Sequence, residues 1–171
     1  MVEMGGVYMV KRIYLAGGCF WGVEEYFSRL KGTISTAVGY ANGNIANPKY
    51  EQLKAGEATH AETLRLDFDD EILPLDKIIE HFLRFVDPYS IDKQGHDVGH
   101  QYRSGIYSDD ESVLADVSKL LAAKVGSDHK IEVTPLMNFY FAEDYHQDYL
   151  KKNPHGYCHV NLSLIKPNEA K

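Results

Sequence analysis

Residues 8–30 read YMVKRIYLAGGCFWGVEEYFSRL, and this stretch predicts a strand, a glycine turn and a helix in direct succession. Residues 8–15 are largely β-branched and aromatic, which is typical of a strand that ends at paired glycines. Phe20 to Leu30 is predicted to be a helix that ends before Gly32. Its apolar residues recur at the i, i+3, i+4, i+7 spacing of one helix face: Val23, Tyr26, Phe27 and Leu30.

The rest of the chain predicts further strands and helices, with a long polar loop at 89–102 and an irregular C-terminal tail after Pro154. The predicted strands are 33–40, 60–68, 104–107 and 131–141, and the predicted helices are 49–54, 74–86, 109–125 and 144–151. This alternation favours a two-layer α/β sandwich with a mixed sheet and a ferredoxin-like arrangement. Residues 1–171 are expected to form a single catalytic domain.

Composition restricts the classes of partner. The formal net charge of −7 argues against a nucleic-acid or anionic-membrane surface, because both require a basic face. No apolar run approaches the roughly 20 residues that a membrane-spanning helix needs. We therefore expect a cytoplasmic protein, a monomer, whose partners are small molecules or other proteins.

Two cysteines are too few for a disulfide framework, so each is a reactive thiol, a metal ligand or a buried apolar residue. Cys19 follows the glycine turn and precedes the helix, where free N–H groups and the positive dipole end favour a thiolate. Phe20 and Trp21 follow it, and side chains on adjacent helix residues point about 100° apart. At least one of these two rings is therefore expected near the sulfur, in solvent or in a pocket. The alternative interpretation is that Trp21 packs on a neighbouring loop.

Several motifs resemble those of the peptide methionine sulfoxide reductase A family, in the same order and from about Tyr14 to Cys158. The most specific is GGCFWG at 17–22, which is similar to the family's GCFWG signature. The others are VGY at 38–40, NPKY at 47–50, HAE at 60–62, QGHDVGHQYRS at 94–104, YHQDYL at 145–150 and NPHGYC at 153–158.

The resemblance implies a role for each matching residue. Cys19 corresponds to the nucleophile and Glu62 to the proton donor, while Phe20 and Trp21 correspond to the pocket for the substrate's terminal methyl group. The polar side of the site corresponds to Tyr50, Asp97 and Tyr102. A carboxylic acid that donates a proton at neutral pH needs a raised pKa, so we expect Glu62 to be largely desolvated. Without the resemblance, the simpler interpretations are that Glu62 is a surface carboxylate and that Tyr50 and Tyr102 are core residues.

The resemblance also implies the reaction and the reductant. The expected activity is reduction of methionine S-sulfoxide, free or in oxidised proteins, through a sulfenic acid on Cys19 that Cys158 resolves as a disulfide. Thioredoxin is the expected reductant, and neither a cofactor nor a metal is implied. An idle surface thiol is the alternative interpretation of Cys158.

Two other classes of function are compatible with the residues themselves. A Cys-His acyl hydrolase would use one of the eight histidines as a base beside Cys19. A metal-binding module would assemble a zinc site from His96, His100, His155, Cys158 and His159. The first alternative requires an imidazole next to Cys19, whereas a sulfoxide reductase requires the Glu62 carboxyl there.

Overall fold

Strands and helices alternate along the part of the chain that the computed structural model describes, residues 2–4 and 8–171. The strands are β1 Val2–Met4, β2 Tyr8–Gly17, β3 Thr33–Ala41, β4 Ala61–Asp69, β5 Lys93–Gln94, β6 Asp97–Val98, β7 Ser104–Ser108, β8 Glu132–Pro135 and β9 Phe139–Phe141. The helices are α1 Phe20–Ser28, α2 Tyr50–Lys54, α3 Leu75–Phe85, α4 Glu111–Val125 and α5 Tyr149–Lys152. Short 3₁₀ turns occur at His100–Tyr102, Asp144–His146 and Leu162–Leu164.

Seven strands form one mixed sheet in the order β8-β7-β2-β4-β3-β9, with β1 paired to β2. The pair β7·β8 is parallel, and the other pairs described in this sheet are antiparallel. The α/β fold with a mixed sheet is therefore confirmed. Strands β7, β2, β4 and β3 lie side by side in that order, α1 follows β2, and α3 follows β4. Added strands extend the sheet beyond these four, and the ferredoxin-like arrangement stays a prediction.

Helix α1 packs on β3 and β4, and α3 packs against α4. The core between these layers is apolar and fully buried, and its largest members include Phe27, Leu64, Leu66 and Phe82. None of the helices in residues 2–4 and 8–171 is long and apolar enough to cross a membrane.

The structure corrects some predicted boundaries. The predicted helix at 144–151 is two pieces, because Asp148 adopts a left-handed conformation with φ of 50° and interrupts it. Asp110 rather than Asp109 caps α4, accepting a 2.9 Å hydrogen bond from the Ser112 N–H. The predicted loop at 89–102 contains the small ribbon of β5 and β6.

The strand register places two predicted site residues together. In the antiparallel pair of β2 and β4, Leu15 lies opposite Leu64. Gly17 lies two residues after Leu15 in β2, and Glu62 lies two residues before Leu64 in β4, so Gly17 and Glu62 meet at the same end of the sheet. The turn that carries Cys19 therefore lies beside Glu62.

Candidate active site

Cys19 is the residue that caps the N-terminus of α1, as its position after the glycine turn predicts. Gly18 makes this turn with φ of +90°, and a Cβ there would lie 2.8 Å from both Gln94 Cβ and His159 Nε2. Only glycine fits both the backbone conformation and the space. Cys19 is 8% exposed, so it lies in a recess that is nearly closed to solvent.

Glu62, from β4, is held at the first turn of α1. Its Oε1 accepts a 3.2 Å hydrogen bond from the Phe20 N–H, and its Oε2 accepts a 2.7 Å hydrogen bond from Gln101 Nε2. The residue is 1% exposed, which confirms the prediction of a desolvated carboxyl. Burial raises the pKa of Glu62 to about 8, although both hydrogen bonds act to lower it. Glu62 is therefore a protonated acid at neutral pH.

A cavity of about 130 Å³ lies between Cys19 and Glu62. At roughly 30 Å³ per water molecule, it has the volume of about four waters, which is close to the size of a methyl sulfoxide group. Its lining includes all predicted site residues except Cys158: Cys19, Phe20, Trp21, Tyr50, Glu62, Asp97 and Tyr102. Two residues that were not predicted, His146 and Tyr157, complete the lining.

The protonation state of the thiol differs from the expectation. Burial raises the pKa of Cys19 well above its ordinary value, and the negative charge of an ionised Glu62 raises it further. The backbone N–H of Trp21 lowers this pKa, which is the helix-terminus effect that the sequence predicts, but desolvation outweighs it. The expectation of a thiolate is therefore wrong for the free site, where Cys19 is a neutral thiol.

The two predicted tyrosines contribute neutral donors. Burial raises the pKa values of both Tyr50 and Tyr102, and the hydroxyls lie close enough for each to affect the other's pKa. Ionised Glu62 raises both pKa values further. Both hydroxyls stay protonated at neutral pH and can donate to an oxygen atom in the cavity.

Asp97 connects the cavity to the C-terminal tail. Its Oδ2 accepts a 3.0 Å hydrogen bond from the Tyr157 hydroxyl and lies 3.9 Å from His159 Nδ1. His159 Nε2 is in turn 2.9 Å from the Gly17 carbonyl oxygen. Tyr157 and His159, on either side of Cys158, thus contact Asp97 in the cavity lining and the Gly17 carbonyl of the glycine turn.

Cys158 lies outside this cavity. Both cysteines are free, and Cys158 lines a separate cavity of about 250 Å³ with Glu25 and Arg29. Its Sγ donates a 3.2 Å hydrogen bond to the Val160 carbonyl and packs on α1 at Gly22, where an added Cβ would lie 3.0 Å from the sulfur. The two sulfurs are not bonded and line different cavities, so a disulfide with Cys19 requires Cys158 to be reoriented.

Three further residues belong to the site: Gln101 binds Glu62, Tyr157 binds Asp97, and His146 Nδ1 accepts a 2.9 Å hydrogen bond from Trp21 Nε1. Each lies within a motif that the sequence analysis quotes, at 94–104, 153–158 and 145–150. The motifs could have placed them near the site, but no local pattern distinguishes them from ordinary polar residues.

The alternative functions find little support in this geometry. The group held at the start of α1 is the Glu62 carboxyl. Among the described residues, His146 supplies the one imidazole that lines the cavity, and it accepts a hydrogen bond from Trp21. His100 and His159 bind Asp92 and the Gly17 carbonyl. Within residues 2–4 and 8–171, no three His, Cys, Asp or Glu side chains are grouped so that they could hold a metal ion.

Comparisons with known proteins agree with the resemblance. The family described as peptide methionine sulfoxide reductase matches residues 11–171. A protein of Ureaplasma urealyticum serovar 10 named peptide methionine sulfoxide reductase MsrA is 50% identical over 161 residues, 92% of this chain and 98% of that protein. The crystal structure of Mxr1 from Saccharomyces cerevisiae in reduced form is similar at 34% identity and a TM-score of 0.78, covering 88% of this chain and 91% of that one. Mxr1 in complex with Trx2 shares the fold at 24% identity and a TM-score of 0.55, covering 87% and 89%.

Proposed function

The chain belongs to the peptide methionine sulfoxide reductase family, and from this premise we propose that it reduces methionine S-sulfoxide with Cys19 as nucleophile and Glu62 as acid. Membership makes the chain an oxidoreductase of methionine sulfoxide. The observation that carries the catalytic assignment is the buried Glu62 carboxyl, which shares one small cavity with the Cys19 thiol. Its pKa of about 8 keeps it protonated at neutral pH.

The cavity suggests how the substrate lies. A sulfoxide has an apolar methyl group on one side and a polarised S–O bond on the other. Phe20 and Trp21 supply aromatic surface for the methyl group. Glu62, Tyr50 and Tyr102 supply hydrogen-bond donors for the oxygen, and neutral donors in a desolvated site stabilise the charge that develops there. Only one epimer can satisfy both sides, and from the family resemblance we assign this epimer as S.

In the first chemical step, Glu62 gives its proton to the sulfoxide oxygen while the Cys19 thiol loses its proton and attacks the sulfoxide sulfur. The attack forms a bond between the two sulfur atoms. This bond and the substrate's S–O bond then break as the hydroxyl group passes to the Cys19 sulfur, which leaves an electron pair on the substrate sulfur. The proton lost by the thiol restores Glu62. The products are methionine and a Cys19 sulfenic acid, so cysteine sulfur is oxidised by two electrons and the substrate is reduced by two.

In the second step, we propose that the Cys158 thiol attacks the Cys19 sulfur, forms a disulfide and releases water. The bridge needs a Cα–Cα separation of less than about 7 Å. The tail at Pro154 and His155 can supply this movement, because both residues are exposed and lie outside the sheet. Loss of the contact between Tyr157 and Asp97 would accompany it.

The Cys19–Cys158 disulfide must then be reduced by a dithiol. We propose thioredoxin, which fits a chain whose reaction consumes one dithiol per turnover. The structure of Mxr1 in complex with Trx2 shows that this relative binds Trx2. We propose that the chain acts as a single catalytic domain and a monomer in the cytoplasm, on free or protein-bound substrate.

The assignment is tested by measuring methionine formation from the separated S and R epimers of methionine sulfoxide, with dithiothreitol or thioredoxin as reductant. Cys19→Ser is expected to abolish turnover with both reductants. Cys158→Ser is expected to form one equivalent of methionine and then stop with thioredoxin. Glu62→Gln is expected to lower the single-turnover rate by about 10²–10⁴-fold, the range of general acid catalysis.

Glu57→Gln is the matched control, because Glu57 is an exposed carboxyl. It should leave every rate unchanged. A single-turnover rate in Glu62→Gln equal to that of Glu57→Gln would contradict the acid assignment. Repeated turnover of Cys158→Ser with thioredoxin would contradict the resolving assignment, and equal rates for the two epimers would contradict the stereochemical one.

A further inference from the structure

The chain has a single tryptophan, and one short C-terminal segment holds its indole ring on two sides. Tyr149 stacks on the ring of Trp21 with centroids 3.7 Å apart and planes 7° from parallel. The indole Nε1–H donates a 2.9 Å hydrogen bond to Nδ1 of His146. The Trp21 ring, which lines the cavity, is therefore held by residues 146–149, which lie about 125 positions further along the chain.

The direction of this hydrogen bond determines the protonation state of His146. An indole N–H can only donate, so Nδ1 must accept, and the neutral imidazole carries its proton on Nε2. The ring is 2% exposed, and its buried Nε2 has no hydrogen-bond partner within the described residues. Its ring neighbours are aromatic: the centroid of the Tyr145 ring lies 4.0 Å away, and those of Phe20 and Tyr50 lie 5.2 Å away. The hydrogen bond to Trp21 is thus the polar contact that the structure gives this histidine.

We propose that His146 is a positioning residue that fixes the Trp21 indole for binding of the substrate's methyl group, and that protonation of His146 releases the indole. The inference rests on the proposed function, in which Trp21 contacts the methyl group. A doubly protonated imidazole has two donors and no acceptor, so it cannot hold an indole N–H. The hydrogen bond and the charged form of His146 are mutually exclusive.

The groups around His146 set the pH at which release occurs. Burial lowers the pKa of His146, Glu143 and Glu51 raise it, and Lys152 lowers it. Because burial is the largest of these effects, release is expected below the ordinary pKa of 6.5. The other titratable groups that line the same cavity are Cys19, Tyr50, Glu62, Asp97, Tyr102 and Tyr157. Glu62, with a pKa of about 8, is protonated throughout this range and keeps its role as acid.

The test compares His146→Ala with His146→Asn, since an Asn amide oxygen can occupy the position of Nδ1 and accept from Trp21. His155→Ala is the control, because His155 is an exposed histidine of the tail. Methionine formed in a single turnover by the reduced enzyme is measured against the concentration of S-sulfoxide. His146→Ala should raise the half-saturating concentration about tenfold and leave the limiting rate within about twofold, the effect of one lost hydrogen bond. His146→Asn should stay within about threefold of the unsubstituted chain, as should His155→Ala.

The single tryptophan supplies a second, independent measurement. In the unsubstituted chain, Trp21 fluorescence should change as pH falls through the titration of His146, because a protonated imidazole quenches indole emission. The half-saturating concentration should rise over the same range. In His146→Asn both transitions should disappear, whereas in His155→Ala both should remain. This measurement decides the inference even where His146→Ala does not fold.

The results separate this inference from the proposed function. Persistence of the fluorescence transition in His146→Asn, or an unchanged half-saturating concentration in folded His146→Ala, would overturn the role of His146. A Trp21→Phe variant that binds substrate as well as the unsubstituted chain would overturn the proposed role of Trp21 itself. Weak binding by Trp21→Phe with normal binding by His146→Ala would leave the proposed function intact and remove only the positioning role.

Discussion

Replacing Glu62 with glutamine should change how the stability of the protein depends on pH. The folded state holds the proton of Glu62 up to about pH 8, whereas an unfolded chain releases it near the ordinary pKa of 4.5. Between these values the folded state binds one more proton than the unfolded state, so the free energy of unfolding falls as pH rises. Below pH 4.5 the Glu62 carboxyl is protonated in both states and does not affect stability, and above about pH 8 its destabilising effect is complete.

The size follows from the two pKa values. At about 1.4 kcal/mol for each tenfold difference in proton affinity, the separation of 4.5 and about 8 corresponds to about 5 kcal/mol. About 4 kcal/mol of this should be lost between roughly pH 5 and pH 8.5. Small domains are stable by about 5–15 kcal/mol, so this one buried carboxyl should dominate the alkaline instability of the protein.

The assay is urea unfolding of the reduced protein at a series of pH values, compared with Glu62→Gln and with Glu57→Gln. Glutamine cannot ionise, so the stability of Glu62→Gln relative to the unsubstituted chain should increase by about 4 kcal/mol from roughly pH 5 to pH 8.5. The buried Cys19 thiol titrates in all three proteins, and its contribution largely cancels in the comparison. A relative stability that changes by less than about 1 kcal/mol over this range would refute the assignment of a desolvated, protonated Glu62.

Three further predictions follow from single contacts. The single-turnover rate should fall as pH rises through about 8, where Glu62 loses its proton, and a rate that stays constant to about pH 9.5 would contradict the acid role. Gly18→Ala should lower the free energy of unfolding in urea by about 1–2 kcal/mol or more, because φ is +90° and Gln94 Cβ would lie 2.8 Å from the new methyl group. Gly56→Ala is the control, because Gly56 has a similar φ but open space around it. Arg84→Ala should lower the free energy of unfolding by about 1–3 kcal/mol, because Arg84 donates two 2.7 Å hydrogen bonds to Glu169. Lys77 forms an exposed ion pair with Glu80 on the same helix, and an equal loss in Lys77→Ala would contradict this prediction.

Local patterns in the sequence determine much of the fold and the placement of Cys19. The strand, glycine turn and helix of residues 8–30 were predictable because apolar periodicity and paired glycines act locally. The break at Asp148 was not predictable, because it depends on tertiary contacts: the Asp148 N–H donates a 2.8 Å hydrogen bond to the buried Glu24 on α1. Similarly, it was the family resemblance, and not the spacing of the residues, that predicted the grouping of the site residues in one cavity.

The protonation state of Cys19 was predicted incorrectly because two opposing effects act on one atom. The helix N-terminus is visible in the sequence, and it lowers the pKa of the thiol through the Trp21 N–H. Desolvation depends on how deeply the recess is closed by residues far along the chain, such as Tyr157 and His146. Burial is the larger effect, and no pattern around residue 19 reports it.

The same desolvation acts on Glu62 with the opposite consequence for catalysis. Burial makes Glu62 a proton donor at neutral pH, but it also makes Cys19 a weaker nucleophile by keeping its proton in place. These two effects are compatible if the reaction moves two protons, one to the sulfoxide oxygen and one from the thiol. Cys19 is buried and keeps its proton in the free site, so in the proposed reaction its activation requires a proton acceptor within the cavity. In the proposed reaction, the Glu62 carboxylate that forms when the sulfoxide is protonated is this acceptor, so the proposal predicts that the thiol is activated only when substrate is bound.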